Sequence, residues 1–185
     1  MSIYFSQLHK DIERMGKTLS GEERKTLKAA LDRLDNRHQF SVTSYPVPVN
    51  YCQTLKKMIK NNEFDWKSNL INNDNFPSSE RGKVEVTIKL VGFDYKITSE
   101  SVIKELDRLG LRPATLKELL AFGVAQRDIQ RSNYAIVALG SVWSGYDGCV
   151  RVVPYISAIP VARSLNHYWW DGVWGSDWQF AALGL

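Results

Sequence analysis

Ser164, His167 and Asp171 fall within eight consecutive positions and are the residue types of a nucleophile, a general base and the acid that orients it. In that chemistry the imidazole takes the hydroxyl proton while the carboxylate holds the ring. Nearness in sequence does not align three side chains in space, and polar triples are common in loops. No catalytic residue is therefore assigned, and the chain is expected not to be an enzyme. His9, His38 and His167 show no metal-ligand spacing. Cys52 and Cys149 stand 97 positions apart, neither with a histidine and an acid beside it, and read as inert thiols of a reducing compartment. No cofactor and no metal are expected.

Binding chemistry is better represented. Trp143, Trp169, Trp170, Trp174 and Trp178 crowd into the last quarter of the chain, interleaved with Gly145, Gly148, Gly172 and Gly175. Large rings supply core mass and glycines permit tight turns between them. Trp143 and Trp178 are flanked by strand-like residues and read as core. Trp169, Trp170 and Trp174 lie beside Asp171-Gly172 and Gly175-Ser176-Asp177, a loop setting in which rings serve either packing or recognition.

The same region carries an absence. From Ser132 to Trp178 there is no Lys, Glu, Gln or Met, although these four types make up 31 of the 185 residues. At that frequency about eight would be expected. Strands use little Glu and Lys, but the region also contains loops, so β propensity explains only part of the gap. The charge divides accordingly. Residues 1–131 hold 22 Lys and Arg against 17 Asp and Glu, whereas residues 132–185 hold Arg151 and Arg163 against Asp147, Asp171 and Asp177. The net charge of +4 thus belongs to the first part, where both signs interleave on amphipathic helices.

The elements that must position these residues follow from periodicity. Phe5, Leu8, Ile12 and Met15, with Gly16 as a stop, predict one helix; Ser20 and Glu23 form a capping box ahead of Leu27, Leu31 and Leu34. Tyr45-Pro46-Val47-Pro48 interrupts, and Tyr51, Leu55, Met58 and Ile59 predict a third helix. Residues 1–79 are accordingly expected to be a helical N-terminal region, bounded by the turn-rich stretch from Asn72 to Ser79. Val84, Val86, Ile88 and Leu90 then alternate with polar residues and predict a strand. A helix starting at Thr98 or Ser99 and ending at Gly110 follows. Another is capped by Thr115 and Glu118, with Ala114 placed to staple Leu119 and Gly123 as the stop. Residues 134–140, 150–155 and 178–183 are strand candidates, giving an α+β second part. No apolar run approaches a membrane span and the start lacks an export signal, so a cytoplasmic location is expected.

Leu111-Arg112-Pro113-Ala114-Thr115-Leu116-Lys117-Glu118-Leu119-Leu120 resembles the start of the second helix in C-type-lectin-like domains of the formylglycine-generating-enzyme type. Residues 136–143, Arg151-Val152-Val153-Pro154-Tyr155, Trp169-Trp170-Asp171-Gly172 and Trp178-Gln179-Phe180-Ala181-Ala182 resemble the C-terminal half of variable proteins of diversity-generating retroelements. The resemblance covers about residues 83–185 and implies a C-type-lectin-like domain over residues 80–185 with a variable region about residues 140–178. In that family an error-prone reverse transcriptase randomises template adenines, chiefly in asparagine codons AAY. Such codons reach many residue types but never Lys, Glu, Gln, Met or Trp, which gives the missing four types a cause. The tryptophans become fixed scaffold. The implied variable, ligand-binding positions are Ser144, Tyr146, Asp147, Ser157, Ile159, Asn166, Tyr168, Val173, Ser176 and Asp177. Tyrosine brings contact area at low entropy cost, and Ser, Asn and Asp bring adaptable hydrogen bonds. Neither the calcium chemistry of lectins nor the paired-cysteine chemistry of the formylglycine-generating enzymes carries over. Ile159-Pro160-Val161 stands where an acidic triplet would be needed, and Cys149 is alone in the module.

A ligand-binding protein with a diversified surface, its partner a protein, is the first expectation. The alternative is a nucleic-acid-binding protein using the basic helices with exposed aromatics such as Tyr168 or Trp174. Salt-dependent binding to arbitrary DNA or RNA would distinguish it.

Overall fold

A computed structural model describes residues 20–23, 25, 26, 40–132, 135–145, 148–159 and 162–185. The chain divides into two compact units, Met1–Gln39 and Phe40–Leu185. In the first, the Ser20 N–H donates to Glu23 Oε2 at 2.9 Å and the Glu23 N–H to Ser20 Oγ at 3.5 Å, the reciprocal bonds of the expected capping box. The helices expected around Phe5–Met15 and Leu27–Leu34 fall outside the described residues.

The second unit is mixed α+β, one large sheet with a few helices. Its first element, β1 (Phe40–Asn50), pairs antiparallel with β3 (Lys83–Phe93), Tyr45 opposite Ile88 and Val47 opposite Val86. The helical reading of residues 1–79 is corrected over Phe40–Asn50, where β1 is a strand, while the helix expected from Leu55, Met58 and Ile59 is present over Leu55–Asn62; the two compact units divide at Gln39/Phe40 rather than at residues 72–79. Pro46 and Pro48 concealed it. They sit at alternate positions of a strand at the end of the described sheet, where half the N–H groups point away from the neighbour. Val47 and Val49, on the other parity, are buried.

The strand order is β1-β3-β11-β6-β8-β9-β2, with β11 (Trp178–Gly184) antiparallel to β3 and parallel to β6 (Ala135–Val137). The remaining strands of that order are β8 (Arg151–Ile159), β9 (Ala162–Trp169) and β2 (Trp66–Lys67). Strand β5 (Leu111–Pro113) also pairs with β11, and β7 (Trp143–Ser144) with β8. The three C-terminal strand candidates are all strands; β9, where no strand was expected, is one more.

Both faces of the sheet are covered, because strand residues of alternate parity feed two separate clusters. On one face Ile88, Leu90, Ile136, Ile156, Leu165 and Ala181 pack against helices α1 (Leu55–Asn62) and α3 (Leu116–Ala125). On the other, Val91, Val137, Val153, Phe180 and Ala182 pack against Val102 and Leu106 of α2 (Ser99–Arg108). Helix α2 is capped by Thr98, whose side chain accepts from the Ser101 N–H, and is ended by Gly110 at φ +67°.

Helix α3 runs past Gly123, the expected stop, to Ala125. The glycine is needed for packing instead. A Cβ there would lie 2.4 Å from Asn62 Oδ1, so only glycine lets α1 approach this closely. At the start of α3, Glu118 accepts from the Thr115 N–H at 2.7 Å and from both terminal nitrogens of Arg112, at 2.7 and 3.0 Å. The Tyr51 hydroxyl also donates to it. Burial pushes the Glu118 carboxyl up, but the Arg112, Tyr51 and Thr115 bonds together outweigh it and hold the group below the ordinary range. The Tyr51 hydroxyl is pushed up, by burial first and then by the Glu118 carboxylate.

Candidate functional site

The β8–β9 hairpin carries most of the candidate positions, and its register sorts them. Val153 faces Tyr168, Tyr155 faces Asn166 and Ser157 faces Ser164. All six therefore stand on the α2 side of the sheet, while Val152, Ile156, Arg163, Leu165 and His167 stand on the α1/α3 side.

On the α2 side the site has an aromatic floor. Tyr168 lies 5.2 Å from both Trp174 and Trp178, Tyr155 lies 5.1 Å from Trp178, and Trp174 lies 4.9 Å from Trp178, ring centre to ring centre. Trp174 is wholly buried beneath, edge-on to Phe180. Tyr155, Tyr168 and Trp178 are half-buried. Beside them the Ser157 and Ser164 hydroxyls lie 2.8 Å apart and Asn166 Oδ1 accepts from the His167 N–H at 2.8 Å. Val173 at 56% exposure, with exposed Ser176 and Asp177, forms the adjoining rim.

The rim is held by contacts with neighbouring elements. Val173 and Trp174 (β10) pair with Ile97 and Thr98 (β4). Buried Ser99 donates to the Trp170 carbonyl at 2.7 Å and accepts from Trp174 Nε1 at 2.9 Å. Trp170 Nε1 donates to Glu100 at 2.7 Å, and its ring lies under the Arg151 guanidinium, 5.4 Å away. Arg151 pairs with Asp171 and lies 3.7 Å from Glu100. A Cβ on Gly172 would come within 2.9 Å of the Tyr168 ring, so the turn closes only around glycine.

The opposite side of the hairpin is sealed. Arg163 is 4% exposed and donates to the carbonyls of Asn62 and Gly123 and to Gln130 Oε1. Those carbonyls belong to the last turns of α1 and α3, where a cation complements the helix dipole. The Arg163 N–H donates to Asp65 Oδ2 at 2.7 Å.

Ser164, His167 and Asp171 do not converge. Ser164 bonds Ser157, Asp171 pairs with Arg151, and His167 Nδ1 lies 2.9 Å from Ser68 Oγ on the other side of the sheet. Burial lowers the His167 pKa, which favours a neutral ring. Among the described residues no three His, Cys, Asp or Glu side chains cluster as a cation site, and no helix is long and apolar enough to cross a membrane.

The other expected positions are distributed as follows. Ser144 is exposed on β7, paired with Arg151, and Ile159 ends β8 opposite Ala162. Tyr146 and Asp147 lie outside the described residues. Ser157 is only 7% exposed. Of the tryptophans expected as scaffold, Trp174 is buried, Trp143, Trp170 and Trp178 are half-buried, and Trp169, at the end of β9, is 54% exposed. Sequence reasoning did not single out Tyr155 as part of the floor or Ser99 as its support. The alternation Val153-Tyr155-Ser157 carried the first; nothing in the sequence marks the second. Comparison with family models, with curated proteins and with solved structures finds no match to this chain.

Proposed function

We propose that this chain is a ligand-binding protein whose C-terminal surface is diversified by a retroelement on a C-type-lectin-like scaffold, and that its ligand is a protein. The observation that carries the reading is the coincidence of two patterns. The segment without Lys, Glu, Gln or Met spans the β8–β9 hairpin and the loop after it; Asn166 and Tyr168 stand on one side of the hairpin, and Val173, Ser176 and Asp177 are exposed in the loop. The depletion stops at Trp178, which opens the strand that returns between β3 and β6.

The lectin-like reading is supported by chain order. Strand β3 is followed by α2 and α3, then β6 and the β8–β9 hairpin, and the last strand comes back beside β3. A floor of half-buried Tyr155, Tyr168 and Trp178 with small polar neighbours suits a protein epitope, since rigid aromatic area and adaptable hydrogen bonds are what such surfaces use. Sequencing the flanking DNA tests the proposal. A reverse-transcriptase gene and a near-copy of the 3′ end differing at adenines are expected; a flank with neither sinks it.

A further inference from the structure

Away from the hairpin face, α1 and the loop that follows it enclose a groove of about 820 Å³, within the range of small-ligand sites, roughly 300 to 1,000 Å³. Its floor is apolar: Leu55 and Ile71 are buried, and Ile59 and Phe64 half-buried. Phe64 is held from behind by the Arg163 guanidinium, 5.2 Å from the ring. The rim is basic. Lys56 and Lys60 stand one helical turn apart on one wall, and Lys67 stands on the other; all three are exposed. The acid at the rim, Glu63, is engaged by Arg127 at 2.6 Å. Among the described residues no carboxylate pairs with any of the three lysines.

An apolar floor with unneutralised cations on both walls complements a molecule with an apolar body and an anionic head. We propose that this groove is a second binding site and that it takes a small amphiphilic carboxylate of the fatty-acid class. The α1 wall is eight residues, about 12 Å long, which matches a medium-length alkyl chain; an amphipathic recognition helix would overhang both ends. Chain burial supplies the affinity and the lysines select the head. The site is independent of the diversified face, so neither proposal needs the other.

Titration of the full chain with decanoate, below its micelle concentration and followed by backbone amide shifts, tests it. Decanoate is expected to move residues of α1 and of the loop to Asn73, and not Tyr155, Asn166 or Ser176. Decanol should bind about tenfold more weakly, and decyltrimethylammonium more weakly still, as three exposed charge contacts would dictate. The triple variant Lys56→Gln, Lys60→Gln, Lys67→Gln alters exposed side chains only and should lose the preference for decanoate over decanol while still binding decanol. Equal binding of all three amphiphiles, no binding of decanoate, or decanoate shifts confined to the hairpin face would each overturn the proposal. Binding of an acidic helical peptide in the groove, with decanoate excluded, would reassign the site to a protein partner and overturn it equally.

Discussion

The two sides of the β8–β9 hairpin, with the loop that follows it, put their polar side chains to opposite ends. On the α1/α3 side Arg163 is buried and spends its donors on Asn62, Gly123 and Gln130. On the α2 side Asn166, Ser176 and Asp177 border solvent and hold little in place. A polar residue that satisfies buried partners is fixed, because removing it strands them without water. A polar residue that meets water is replaceable. The contrast teaches which residues of one short segment can vary while the fold persists, whatever generates the variation.

The sharpest way to break the contrast is Arg163→Ala, which leaves two helix-end carbonyls and Gln130 without their donor. A loss of about 3 to 5 kcal/mol is expected, measured by urea unfolding. Trp174→Ala should cost about as much, roughly 3 to 5 kcal/mol, by emptying the wholly buried slot between Tyr168, Trp178 and Phe180. Trp169→Ala, at 54% exposure, should fall within about 0.5 kcal/mol of the parent. Equal losses for the two tryptophans would erase the distinction drawn between them.

Acidity probes the sealed side in another way. Glu118 has a folded-state pKa below its unfolded one, so its contribution is complete above the ordinary value of 4.5 and is lost as pH falls through the depressed folded value. His167, a base lowered by burial, adds in the same direction: stability declines as pH drops below its ordinary 6.5, because the unfolded chain takes up the proton more readily. Thermal melts from pH 7 to 3 should show both declines, with His167→Gln removing the upper one. A melt unchanged by that substitution would remove His167 from the sealed side.

The smallest effects belong to the exposed rim. Asn166→Ser, Val173→Asp and Ser176→Tyr should each shift stability by no more than about 0.5 kcal/mol, by urea unfolding. A larger cost at any of them would place that position among the fixed residues.

Much of this division was legible in the sequence. The Thr115–Glu118 cap, the Gly110 stop and the C-terminal strands follow from local spacing, and the two-sided alternation of β3 is visible in Val84 to Leu90. Strand β1 was not, because its prolines mimic a loop until an end position in the sheet makes them tolerable. Nor was the role of Gly123, which depends on Asn62, a residue 61 positions away that only folding brings near. Ser99 and Arg163 were invisible for the same reason: their partners are carbonyls and side chains of distant elements.

The most direct test of the account is the gene itself, sequenced from many independent isolates of the source population. Substitutions are expected to concentrate at the codons that stand opposite template adenines, at Ser144, Asn166, Tyr168, Val173, Ser176 and Asp177, with Arg163, Gly172, Trp174 and Trp178 unchanged. Substitutions spread evenly along the chain, or falling on those four, would contradict it.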